Sequence, residues 1–161
     1  MSRATSQSGF TLIEVLVAVV VLGIGLTGMA GLQIVSIRGS QQAYERTQAS
    51  FLAYDIMDRM RVNLAAARAG DYDTALDEDV SALDLCFGAS ANCTPAEFAD
   101  HDRRTWRQSV NDHLPGGLAS VATATVAGQV QATVSVQWIS ADSELVDGDI
   151  VPQQLDMVVS L

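Results

Sequence analysis

The sequence contains no lysine. All nine basic residues are arginines, and none lies beyond Arg107. Against 19 acidic residues, this leaves a formal net charge of -10. A chain this acidic lacks the basic face that supplies most of the affinity in general nucleic-acid binding. Histidine is nearly as scarce, with only His101 and His113. On one helix, that spacing is about 18 Å along the axis and about 120° around it, so the pair shares neither a metal nor a proton relay. No GxSxG, HExxH or phosphate-binding loop is present, and no base stands beside the serines. These absences predict no catalytic residue, no metal site and no cofactor. Cysteine is limited to Cys86 and Cys93. In an exported domain such a pair reads as a disulfide, and in a cytosolic one as two thiols. The choice rests on export.

The 161 residues suffice for one modest domain and are too few for two ordinary ones. Hydrophobic residues reach 48% but are concentrated in the first third. Residues 1–9 form a short polar leader with one charge, Arg3. Phe10-Thr11-Leu12-Ile13-Glu14 follows, and no residue from Val15 to Ile37 is charged. That stretch is long enough to span a bilayer. Arg3 before it favours a cytoplasmic N-terminus, with the remaining domain on the far side. In an ordinary secretory signal the cleavage site follows the apolar run. Here the polar leader ends in Gly9 and the apolar run comes after it. Glu14 is a carboxylate near the start of the span and needs a cation, yet no basic residue lies between Arg3 and Arg38. Cleavage after Gly9 would supply one, the new α-amine of Phe10. That amine would pair with Glu14 of its own chain or of a neighbour, and pairing with a neighbour would set the register between helices.

Gly9-Phe10-Thr11-Leu12-Ile13-Glu14 resembles the class III signal of type IV pilins and type II secretion pseudopilins. The resemblance implies cleavage by a membrane prepilin peptidase after Gly9. It also implies N-methylation of Phe10 and an assembly role for Glu14. The loss of Arg3 would take the mature charge to -11. Gly23, Gly25, Gly28 and Gly31 interrupt the span without a GxxxG spacing. They read either as close helix packing or as sites of local unwinding in a filament. Many major pilins carry a helix-bending proline in this region, and this chain has none.

Beyond Ile37 the pattern changes. Leu52, Ile56, Met60 and Leu64 recur every four residues, with Tyr44 and Phe51 broadening the stripe. This predicts one helix from Phe10 to Ala69, about 90 Å long at 1.5 Å per residue, stopped near Arg68 and Gly70. Residues 71–93 read as an acidic loop, better explained by solvation than by a calcium site, since EF-hand spacing is absent. Thr94-Pro95-Ala96-Glu97 is a helix start with a capping box. Phe98, Trp106, Val110 and Leu114 line one face of that helix, and Pro115-Gly116-Gly117 ends it. Arg103, Arg104 and Arg107 form the one basic cluster, with Asp100 placed to pair locally. Val130 to Trp138 and Leu155 to Leu161 alternate as half-buried strands, Leu118 to Val126 is a weaker strand, and turns are marked at Gly128 and Asp147-Gly148. The expected fold is α+β: a long N-terminal helix packed on an antiparallel β-meander, with a second helix before the sheet. The expected segments are a leader (1–9), a transmembrane and filament helix (10–37), an amphipathic spine (38–69) and a globular head (70–161).

The whole chain is similar to PilV-type minor pilins. The similarity is carried by the stretch from Gly23 to Gln33, the stretch from Ala49 to Arg61, and Trp106 with Leu114-Pro115-Gly116-Gly117. It implies a low-abundance subunit that primes assembly or caps the tip. Its partners would be prepilin peptidase, other minor pilins, the major pilin, the inner-membrane assembly platform and membrane lipid. The head would be periplasmic before assembly and on the cell surface afterwards. Major pilins often close a C-terminal loop with a disulfide, whereas Cys86 and Cys93 precede the sheet. The alternatives are a type II secretion minor pseudopilin and a membrane-anchored periplasmic binding module.

Overall fold

The computed structural model describes residues 9–76, 78, 86, 92–141, 143–146 and 149–161. Residues 1–8 of the leader, most of the acidic stretch 77–91 and the Asp147-Gly148 turn lie outside the described residues. The chain divides into two compact units, one ending at Gln41 and the other comprising Gln42–Leu161.

Helix α1, Leu12–Val62, runs 51 residues without interruption. In the first unit it is uncharged from Val15 to Ile37, and a membrane-length window has a mean hydropathy of 2.4. Its residues are exposed throughout, and a Cβ added at Gly23, Gly25, Gly28 or Gly31 would meet open space. The helix persists through all four glycines. Thr27 donates its hydroxyl back to the Gly23 carbonyl at 2.8 Å, a local bond that satisfies the hydroxyl within the span.

The second unit is a layer of helix on a layer of sheet. Its sheet has the order β1-β2-β5, from Leu118–Val126, Gln129–Trp138 and Gln153–Ser160, with both pairings antiparallel. The register places Val134 between Val121 and Met157. Alternation along β2 sends Ala132, Val134, Val136 and Trp138 inward, as the period-two pattern requires. A two-stranded hairpin, β3 (Leu145–Val146) and β4 (Asp149–Ile150), is inserted before β5. The α+β meander architecture read from the sequence is therefore present, with this hairpin as an addition.

Three details of the spine differ from the sequence reading. The helix begins at Leu12 rather than Phe10. It also does not reach Ala69 unbroken: Asn63 adopts φ -108° and ψ 53°, and a short α2, Leu64–Ala69, follows. Asn63 donates its side-chain amide to the Pro95 carbonyl at 2.7 Å, a tertiary bond to the start of α3 (Pro95–His113), while its backbone amide and carbonyl keep their i,i+4 bonds to Arg59 and Ala67. The third difference is the buried stripe, which is Glu45, Ala49, Ala53, Ile56, Met57 and Met60, whereas Tyr44 and Phe51 are 59% and 64% exposed. The small residues Ala49 and Ala53 lie in the core, and the aromatics are turned to the opposite side.

Gly70 ends α2 in the left-handed conformation, φ 86°, and the Asp71 amide donates to the Ala66 carbonyl at 3.0 Å. This is a Schellman-type stop. Helix α3 begins with the complete capping box, Thr94 with Glu97, and Pro95 in its first turn. Trp106, on its buried face, donates its indole N–H to the Leu52 carbonyl at 2.7 Å and so ties α3 to α1.

Candidate processing and assembly site

Gly9, Phe10 and Thr11 precede the first helical turn in non-helical conformation, and Gly9 and Phe10 are exposed. Thr11 begins the helix by accepting from the amides of Glu14 and Val15 at 3.1 and 3.3 Å. Glu14 therefore stands in the first turn, where the helix dipole favours a carboxylate. Phe10, Glu14, Ala18 and Leu22 share one apolar face with Val15 and Val19. The Gly9–Phe10 peptide bond is thus accessible, and Phe10 and Glu14 lie on one side of the helix, a turn apart.

The other residues singled out in the sequence fall elsewhere. Cys86 and Cys93 are joined by a disulfide with Cα atoms 5.8 Å apart, just before α3. His101 is buried and His113 exposed on α3, and each bonds within its own helix. No group of three metal-ligating side chains occurs among the described residues.

The basic cluster of α3 is turned to internal tasks. Asp100 accepts from Arg103 at 2.5 Å and from Arg104 at 2.8 Å. Burial pushes the Asp100 carboxyl up, but the hydrogen bonds from these two arginines outweigh it and hold it below the usual range. Arg103 also reaches Glu78 at 3.2 Å and the Asp73 carbonyl at 2.7 Å. Arg107 is 8% exposed. Its guanidinium donates to the carbonyls of Ala75, Leu76, Glu78 and Ala119. It therefore fastens the segment after α2 to strand β1. Charge alone marks Arg107 as a surface residue, yet its place between Trp106 and Val110 on the buried face is a signal for this internal role.

The same helix carries a second polar node. Asp102, 4% exposed, accepts from Tyr72 at 2.8 Å and from Arg59 at 3.1 Å. Arg59 also pairs with Asp55 at 3.0 Å. Three segments distant in sequence, in α1, after α2 and in α3, meet at this one carboxylate. No local spacing announces it.

Two family models match the chain. The prokaryotic N-terminal methylation motif matches residues 5–30. The family described as type IV pilin Tt1218 matches residues 31–104. The chain is a type IV pilin-like protein. No match was found among curated proteins or among solved structures. The methylation-motif match spans Gly9, Phe10 and Glu14, and the Tt1218 match carries through the helical spine into α3. The pilin family is structural rather than enzymatic. The apolar helix and the signal in front of it fit inner-membrane anchoring followed by assembly into a pilus. The prepilin motif likewise implies processing by a prepilin peptidase and assembly with other pilins.

Proposed function

We propose that this pilin is a minor subunit of a type IV pilus, of the PilV type, acting in a priming or tip complex. On this reading, prepilin peptidase cuts between Gly9 and Phe10, Phe10 is N-methylated, and Glu14 directs assembly. Residues 10–37 serve as the membrane and filament segment, and the rest as spine and head. The head is periplasmic until the subunit joins the pilus on the cell surface. Its neighbours are other minor pilins and the major pilin, delivered by the inner-membrane assembly platform, and it performs no catalysis.

The observation that carries this reading is the single face shared by Phe10 and Glu14 at the start of an apolar helix. A new amine on Phe10 has a nearby carboxylate of its own chain. In an apolar surrounding each charge is costly alone and strongly favoured when paired. Pairing between chains offsets both charges at once and fixes the axial stagger. The position of Cys86 and Cys93 ahead of the sheet supports a subunit distinct from abundant adhesive pilins.

Sheared pili provide the test. The wild-type chain is expected in the sheared fraction, and Glu14→Ala is expected to be cleaved normally but to be depleted from it. Incorporation of Glu14→Ala at the wild-type level would overturn the assembly role.

A further inference from the structure

Within the second unit, a cavity of about 40 Å³ opens where α1 passes the end of the sheet. Gln42 and Arg46, one helical turn apart, form one wall. Trp138 and Gln153, directly paired across β2 and β5, form another, and Ser140 closes the end.

Ser140 is 6% exposed, and its Oγ has no hydrogen-bond partner among the described residues. Its backbone is already fixed: the Ser140 amide donates to Ser143 Oγ at 2.8 Å, and the Ser143 amide donates back to the Ser140 carbonyl at 2.9 Å. The hydroxyl is left over, at a cost that buried polar groups rarely carry without reason. Arg46 makes no ion pair among the described residues. The walls thus offer a guanidinium, a hydroxyl and the primary amide of Gln153, all able to donate. Among the described residues, no acidic side chain lines the space. Glu45, next to Arg46 in sequence, lies about 100° round the helix and is absent from the lining.

A cavity of this size holds about three water-sized positions, at roughly 10–15 Å³ each. That suits the two oxygens and one carbon of a carboxylate better than the four oxygens of a phosphate. The guanidinium matches a planar carboxylate through paired N–H donors. We infer that the cavity is a carboxylate-binding site, filled by a free small carboxylate or by an acidic side chain of a neighbouring subunit. Only the second source depends on the chain being assembled into a pilus.

The full chain in detergent micelles, labelled with ¹⁵N, tests the site without reference to any filament. Trp106 and Trp138 give separate indole N–H resonances, and acetate is the titrant. The expected result is a saturable shift of the Trp138 indole and the Gln153 side-chain amide, with the Trp106 indole unmoved. Arg46→Gln should weaken acetate binding at least tenfold and Ser140→Ala severalfold, while inorganic phosphate binds more weakly than acetate. An unchanged Trp106 resonance in each variant shows that the fold holds. A Trp138 resonance that ignores acetate, or that shifts equally in Arg46→Gln or with chloride, would overturn the proposal. The content of Arg46→Gln in sheared pili then identifies the source. Depletion points to a neighbour's side chain, and normal content together with lost acetate binding points to a free carboxylate.

Discussion

The hydroxyl of Tyr72 donates to the buried carboxylate of Asp102 across 2.8 Å, and Arg59 approaches the same carboxylate from α1 at 3.1 Å. This three-way contact does for the head what no hydrophobic pair can do, since it fixes direction as well as proximity between α1, α3 and the segment joining them. Removing the shared acceptor strands the buried Tyr72 hydroxyl, whereas Arg59 keeps its pair with Asp55. Asp102→Ala should therefore cost about 1–3 kcal/mol of head stability, the penalty for a buried polar group left unsatisfied. Tyr72→Phe should cost about 1–3 kcal/mol, since it leaves Asp102 its bond to Arg59. Denaturant unfolding followed by tryptophan fluorescence measures both.

The same contact sets an alkaline limit. Burial first, then the hydrogen bond to Asp102 and its charge, push the Tyr72 phenol well above its ordinary 10.0. A group raised in the folded state contributes its full stability below the unfolded value. That contribution falls as pH rises past about 10 toward the higher folded value. Thermal melting of the head should drop across this window, and Tyr72→Phe should flatten the drop. An unchanged slope in Tyr72→Phe would assign the effect to other tyrosines.

The buried face of α1 carries small residues. Ala53 is fully buried and Phe51 is 64% exposed. Ala53→Leu is expected to cost about 1–3 kcal/mol through overpacking. Phe51→Ser is expected to stay within about 0.5 kcal/mol in the unassembled chain. Equilibrium unfolding of the two variants side by side checks the orientation, and a reversed order would contradict it.

The β1–β2 hairpin turns through Ala127 and Gly128, with φ of 52° and 83°. A two-residue turn with both angles positive favours asparagine at its first position. Alanine there carries a strain of roughly 1–2 kcal/mol. Ala127→Asn should recover about 0.5–1 kcal/mol and raise the melting temperature.

At the start of α3, the Thr94 backbone amide and then its hydroxyl hold the Glu97 carboxyl below its ordinary 4.5. Its contribution is present above that value and is lost as pH falls through the lower folded one. Thr94→Ala should cost about 1 kcal/mol at neutral pH, with a smaller penalty in strong acid. Melting at two pH values checks this.

Periodicity and end signals make much of the fold legible in the sequence. The capping box at Thr94, the stop at Gly70 and the alternation along β2 are local rules, and each appears where the residues place it. Two kinds of feature are not legible. The break at Asn63 comes with a bond to the Pro95 carbonyl, and the node at Asp102 depends on Tyr72 and Arg59. Both join residues far apart in sequence, and one sequence holds no trace of such pairings. The outward turn of Tyr44 and Phe51 is hidden for a different reason. Hydrophobicity marks them as core, whereas the buried face of α1 is occupied by Ala49 and Ala53. At the candidate site the order is the opposite. Gly9, Phe10 and Glu14 are legible as a motif, and the structure adds the accessible peptide bond and the shared face.

The central claim concerns one peptide bond, and mass spectrometry of the mature N-terminus tests it most directly, in cells with and without prepilin peptidase. The account predicts a chain that begins at Phe10, carrying one methyl group, only when the peptidase is present. A leader that remains intact in both would contradict it and leave a membrane-anchored domain that never enters a filament.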